Sequence, residues 1–271
     1  MSQIQLFVID PQNDFMDVAG AALPVPGAST DMRRLARFVD DHLAQIDDIV
    51  LTLDSHASVG IERTSFWTTA GGVPLAPFTA VTAAAVRAGQ VLPRDPTQLP
   101  QVLVYLDALE ADSGRTLIVW PVHCVVGHWG HNIEPTLAHS VARWEFERLR
   151  LCQKIQKGQH PLTEQYSAFR AEVPRADDRR THNNDSLMQR LAHGPGLLVV
   201  AGEALSHCVA ASGQDMLRQL PPLRLRNTVF LTDCMSPVPG FEAAGRQFLD
   251  QLQAHGVRTL PVADLCAAVL P

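Results

Sequence analysis

Five short apolar runs constrain this chain more than any other feature. They lie at 4–9, 49–53, 117–119, 197–201 and 228–231. None alternates apolar with polar residues, and most are rich in β-branched side chains. A strand with one wet face alternates, whereas a strand covered on both faces does not, so these runs are read as buried parallel strands. Weaker runs at 151–155 and 257–261 extend the set. Helix-like segments lie between them. The stretch 30–45 places Met32, Leu35, Ala36, Val39 and Leu43 on one helical stripe, and 208–217 and 242–255 read similarly. Strands alternating with helices predict a doubly wound, mainly parallel α/β sheet with helices on both faces.

The chain has 271 residues, 46% of them hydrophobic and 18% charged, which suits a single domain over 1–271 with one insertion. Its formal net charge is -6 and it has no basic block, so nucleic acid is excluded as an expected partner. The densest cationic run, Arg175, Arg179 and Arg180, is diluted by Asp177 and Asp178 and reads as a solvated loop. The first residues, Met1-Ser2-Gln3, lead straight into the first apolar run with no basic or long apolar leader, so no signal peptide is expected. No apolar stretch has membrane-spanning length. The five cysteines, at 124, 152, 208, 234 and 266, are scattered and lack C-x-x-C spacing. Reduced thiols in a cytoplasm are the expectation.

Open α/β sheets gather their sites beyond the carboxyl ends of the strands. Strand one ends in Asp10, where a carboxylate suits a general base. The second ends in Asp54, with His56 two residues on; in extended chain these point to one side and can share a divalent ion. His123, in W-P-V-H-C, completes a set of one carboxylate and two imidazoles that leaves coordination positions open. The run at 197–201 leads through Gly202 to Cys208 at a helix start, where the helix dipole favours thiolate. Lys157 follows a candidate strand. Phe15, Trp120 and Tyr166 are candidates for an aromatic substrate pocket. Taken singly, each has a structural reading as well: capping carboxylate, buried thiol, surface lysine or core aromatic.

Five blocks in order carry a family resemblance. V-I-D-P-Q-N-D-F at 8–15 with G-A-A-L-P-V-P-G at 20–27, L-D-S-H at 53–56, W-P-V-H-C at 120–124, K-G at 157–158 with Y-S-A-F at 166–169, and G-E-A-L-S-H-C-V at 202–209 span most of the chain. Together they resemble the nicotinamidase branch of the isochorismatase-like cysteine hydrolases. The resemblance implies a six-stranded parallel sheet, usually in homo-oligomers. It implies a catalytic triad of Asp10, Lys157 and Cys208, and an oxyanion hole from the amides of Ala204 and Cys208 beside a cis peptide between Glu203 and Ala204. It implies a divalent metal on Asp54, His56 and His123, with zinc expected and iron or manganese also suited.

One region departs from the compact members of that family. The connection between His56 and His123 is much longer, and 68–115 carries a Gly-Gly pair, prolines and helical pieces at 79–88 and 98–111. Such an insertion is expected to be a lid or an interface element. The polar stretch 170–185 reads as a surface loop. His207 stands where compact members commonly carry another residue. The function implied is hydrolysis of a small amide, a ring amide such as nicotinamide, to the acid and ammonia. The alternatives are hydrolysis of another small amide or N-carbamoyl compound, and a non-enzymatic binding protein on the same fold.

Overall fold

Ile4–Ile9 forms strand β1, buried along its whole length, and both faces of it meet apolar helices. Ile4, Leu6 and Val8 enter one core cluster, while Phe7 and Ile9 enter another. This is the two-residue period of a strand covered on both sides. The structure, a computed structural model, describes residues 3–269; Met1 and Ser2 of the N-terminal reading lie outside them.

The chain continues through α1 (Ala28–Asp41), β2 (Ile46–Asp54), β3 (Trp67–Thr69), β4 (Thr79–Val81), α2 (Ala83–Arg87), β5 (Val91–Pro93), α3 (Leu99–Ser113), β6 (Leu117–Val119) and α4 (Pro135–Arg148). It then runs through β7 (Gln153–Lys157), α5 (Asp185–Ala192), β8 (Leu197–Gly202), α6 (Ala210–Gln219), α7 (Pro222–Arg226), β9 (Thr228–Leu231), α8 (Glu242–Ala254), β10 (Arg258–Leu260) and α9 (Val262–Val269). The main sheet has six strands in the order β10-β9-β8-β1-β2-β7, all parallel. One face is covered by α1, α4 and Leu265 of α9, through residues such as Met32, Leu35, Phe38 and Trp144. The other is covered by α5, α6 and α8, through Leu187, Met216 and Phe248.

From β1 the chain crosses to β2 on one side and reaches β8 on the other, so the strand order reverses around β1. Register then places the carboxyl ends of the central strands together. Ile9 stands opposite Gly202, and Asp54 opposite Lys157. Gly202 (φ 123°) permits this closeness, since a side chain there would run into the backbone of Ile9.

Two expectations need correction. The run 117–119 is buried but does not join the main sheet; β6 pairs antiparallel with β4 in a two-stranded ribbon. The segment 79–88 is not one helix. Thr79–Val81 is the partner of β6, and the helix begins only after Thr82, whose side chain accepts from the Ala85 N–H. The long connection after β2 has its own apolar cluster, including Trp67, Val81, Val102, Leu106, Leu117 and Val119. That cluster is why a short apolar run can be buried away from the central sheet.

Candidate active site

Lys157, the last residue of β7, is 3% exposed, and its ammonium meets four residues. Nζ lies 2.9 Å from Asp10 Oδ2 and 3.1 Å from Asp54 Oδ1. It also donates to the Gln165 carbonyl at 3.0 Å and contacts Cys208 Sγ at 3.4 Å. The parallel register of β2 and β7 brings Lys157 beside Asp54. Asp10 follows β1 with φ 45°, a left-handed conformation that is uncommon for a side-chain-bearing residue. Thr52 on β2 donates to Asp10 Oδ1 at 2.6 Å and accepts from the Asp10 N–H at 3.1 Å, holding that turn.

Cys208 sits in a single π-helical turn, Leu205–Val209, that opens into α6. The peptide between Glu203 and Ala204 is cis, and the Ala204 carbonyl accepts from the N–H groups of His207 and Val209. The thiol is 6% exposed. Burial pushes its pKa well above the ordinary thiol value; Lys157 acts against that shift, and Asp10 and Asp54 add to it. The helix start that favours thiolate is thus opposed at Cys208 by burial and by the neighbouring carboxylates, with Lys157 acting on the side of the thiolate. Burial likewise raises Asp10, opposed by Lys157. For Lys157, burial works downward but the carboxylates of Asp10 and Asp54 prevail, so its pKa is raised and it stays a cation. Burial works upward on Asp54, but His56 and Lys157 prevail and hold it well below the usual carboxylate range.

Asp54, His56 and His123 converge on the other side of the lysine. One potential ligand atom from each lies within 4.8 Å of the others, and all three residues are buried. Asp54 Oδ2 is 2.7 Å from His56 Nε2 and 3.3 Å from His123 Nε2. His123 Nδ1 lies 2.8 Å from the Pro121 carbonyl, which can only accept, and 3.3 Å from Arg63 Nη1, which can only donate; the shorter contact assigns the proton to Nδ1 and leaves the Nε2 lone pair available. One carboxylate and two imidazoles are a donor set for a divalent metal ion.

The opening motif supplies supports for which sequence reasoning had no role. Gln12 accepts from the Asp54 N–H at 2.7 Å and donates to the carbonyls of Asp54 and His131. Asp14 accepts from the Cys124 N–H at 2.6 Å and the Ala22 N–H at 3.0 Å. The motif thus fixes the two segments that carry the metal-site residues. Glu62 and Arg63, buried behind the histidines, were missed too. Neither stands in a periodic pattern or a recognisable block, so no sequence signal pointed to them.

The three aromatic candidates separate. Phe15 packs on the His123 ring with centroids 5.5 Å apart. Trp120 Nε1 donates to Tyr166 Oη at 3.0 Å, and these two form a wall with His207 and Phe241. Phe78, from the insertion, abuts Trp120 at 5.6 Å. A cavity of about 420 Å³ adjoins the wall, lined in part by Tyr166, His207, Phe241 and Arg115. His207 and Phe241 were not foreseen as wall residues.

No family model matches the chain. It is 25% identical to the nicotinamidase of Saccharomyces cerevisiae over 255 residues, which cover 94% of this chain and 98% of that one. The solved structure of the yeast nicotinamidase superposes with a TM-score of 0.65 at 21% identity, covering 95% of this chain and 99% of that chain. A nicotinamidase/pyrazinamidase of Acinetobacter baumanii gives 0.64 at 21% identity, covering 98% and 99%. A pyrazinamidase of Pyrococcus horikoshii, solved in complex with zinc, gives 0.51 at 18% identity, covering 96% and 99%. With the six-stranded sheet and the residues gathered at its rim, these likenesses give the chain the fold of the nicotinamidases and isochorismatase-family hydrolases and a sequence similar to the yeast nicotinamidase along nearly its whole length.

Proposed function

We propose that this chain hydrolyses a small ring amide, nicotinamide or a close relative, to the carboxylic acid and ammonia through a thioester on Cys208. The observation that carries the reading is the position of Lys157 Nζ, in contact with Asp10, Asp54 and Cys208 at once. A thiol that rests protonated needs a base beside it, and a base that rests ionised in a buried site needs a cation. Asp10 takes the Cys208 proton as sulfur attacks the amide carbon. Lys157 holds the two anionic forms in one site. The amides of Ala204 and Cys208 donate to the oxyanion. Asp10 then returns its proton to the departing amine as ammonia. It next takes a proton from the water that cleaves the thioester, and the thiol is restored.

Asp54, His56 and His123 hold the metal in this reading, and we take zinc as its identity. When bound, such an ion supplies a Lewis-acidic anchor for the ring nitrogen or for a water. Trp120 and Tyr166 wall the ring's site, with Phe15 on the metal side. The contact of Phe78 with Trp120 supports a part for the 68–115 insertion in substrate choice. All five cysteines are unpaired, which supports a reducing compartment such as the cytoplasm.

The test is ammonia and acid release from a panel holding nicotinamide, pyrazinamide, open-chain amides and N-carbamoyl compounds. Ring amides should turn over best, and Cys208→Ala should lower kcat/KM at least about 10³-fold. Retained turnover in Cys208→Ala, or no acid from any ring amide, would overturn the proposal.

A further inference from the structure

Two residues that the proposed reaction does not use stand directly behind the metal-site residues. Glu62 and Arg63 are 3% and 0% exposed, yet both are charged types that are seldom buried without a partner. They lie in the connection after β2. Backbone contacts fix them there: the Glu62 carbonyl accepts from the Trp120 N–H at 2.7 Å, and Arg63 forms an isolated bridge with Trp120. Arg63 Nε donates to Glu62 Oε1 at 2.9 Å. The same Oε1 faces His56 Nδ1 at 3.3 Å, and Arg63 Nη1 donates to the His123 carbonyl at 2.7 Å. The pair therefore touches both histidines of the cluster. It meets His56 at Nδ1, while Nε2 of the same ring faces Asp54.

A neutral imidazole carries one N–H, and its ligand nitrogen must be the other one. For His123 the Pro121 carbonyl makes that choice. For His56 the group set against Nδ1 is the Glu62 carboxylate. Three polar atoms around this contact are buried and without a hydrogen-bond partner: His56 Nδ1, Glu62 Oε2 and Arg63 Nη2. Such atoms are rare in folded proteins, and a group of them beside one candidate ligand ring calls for a functional account. Gly60 adds a structural one. A Cβ there would stand 2.7 Å from both Glu62 carboxylate oxygens, so the chain is bare where the carboxylate lies. Carboxylates set against the far edge of a ligand histidine fix its ring and tautomer and strengthen it as a donor to the ion.

We propose that Glu62 is a positioning residue for the metal centre: its carboxylate holds His56 in the tautomer that offers Nε2, and Arg63 secures both the carboxylate and the backbone of His123. The proposal rests on the divalent-metal reading of Asp54, His56 and His123 and is independent of the amide chemistry. Full-length wild type, Glu62→Gln and Glu62→Ala are titrated with Zn²⁺ and Co²⁺ against a chromophoric chelator. The Co²⁺ absorption bands report the ligand field, and melting of the metal-free forms reports the fold. Glu62→Ala should weaken both ions about 10- to 100-fold and alter the Co²⁺ bands. Glu62→Gln keeps an acceptor oxygen but no charge and should fall between, at about 3- to 10-fold. Both variants binding within about 2-fold of wild type, with unchanged Co²⁺ bands, would overturn the proposal, as would a wild type that binds neither ion. Should Glu62→Ala fail to fold, Glu62→Gln decides on the same criterion. No arm reads amide turnover, so failure here leaves the role of Cys208 standing, and an inactive wild type leaves the metal ranking standing.

Discussion

A single buried ammonium sets the electrostatics of the site. Lys157 lies between the carboxylates of Asp10 and Asp54, and it lowers the pKa of Asp10 and of Cys208 against the pull of burial. Lys157→Met removes that influence, so both groups should hold their protons more tightly. We expect kcat/KM to fall about 10²- to 10⁴-fold, with alkylation of Cys208 slowed across the neutral range. Because two buried carboxylates lose their cation, unfolding free energy should also drop by about 3 kcal/mol. Turnover and alkylation rates equal to wild type would remove Lys157 from the mechanism. His207 offers a separate test through stability. Burial, and then Arg115, push its pKa down to about 4, against an ordinary histidine value of 6.5. Between those values the unfolded chain binds a proton that the folded chain does not. Stability from the neutral ring is therefore present above about pH 6.5 and lost as pH falls toward 4. His207→Phe should cut the drop in unfolding free energy between pH 7 and pH 4 by up to about 3 kcal/mol, measured by urea unfolding. An identical pH dependence in variant and wild type would refute this.

Among the elements, the end of β7 does the most for the site with the least side chain. Gly158 follows Lys157 at φ 73°, and a Cβ there would come within 2.6 Å of His56 Cε1 and 2.9 Å of Asp54 Oδ1. The strand can present Lys157 to Asp10 and Cys208 and still pass beside His56 and Asp54 because position 158 has no side chain. Gly158→Ala combines a left-handed strain with a displaced His56. We expect a loss of about 1–3 kcal/mol in stability and a roughly 10-fold weaker metal affinity, read by thermal melts and chelator competition. Unaltered metal affinity would show that His56 and Asp54 tolerate the intrusion. The π-turn carrying Cys208 works in a comparable way: it sets the thiol toward Lys157 while α6 packs Met216 into the core.

At the scale of the molecule, the metal site ties separate parts of the chain together. Asp54 belongs to β2 of the main sheet, and His123 follows β6 in the long connection after β2. An ion held by both stabilises the folded state by mass action. At about 100 times its Kd it contributes about 2.7 kcal/mol, and for a chain of this size that is a melting shift of roughly 5–10 °C. Chelation should lower Tm by that amount, and His56→Ala should abolish the response. A chelator-insensitive Tm in metal-loaded wild type would argue against an ion at these residues. Among the described residues no helix is long and apolar enough to cross a membrane.

The α/β class was legible in the sequence because burial on both faces leaves a local mark: apolar runs such as 4–9 and 197–201 that do not alternate. The order of the motif blocks placed Asp10, Asp54, His56, His123, Lys157 and Cys208 in view one by one, and parallel register at one sheet rim brings them together. Other features depended on neighbours distant in sequence. The run 117–119 looked like a main-sheet strand because a buried run carries no label for its partner; it found Thr79–Val81 and a separate core. Glu62 and Arg63 carry no signal in the sequence, and only the fold encloses them. His207 became a wall residue only through Trp120 and Phe241. The Cys208 thiol was read from its place near a helix start, yet burial, Lys157 and the carboxylates of Asp10 and Asp54 also act on it, and none of these is local in sequence. Local pattern reports which residues avoid water, whereas pairing, enclosure and the charge on a buried group are set by three-dimensional distances that no single segment encodes.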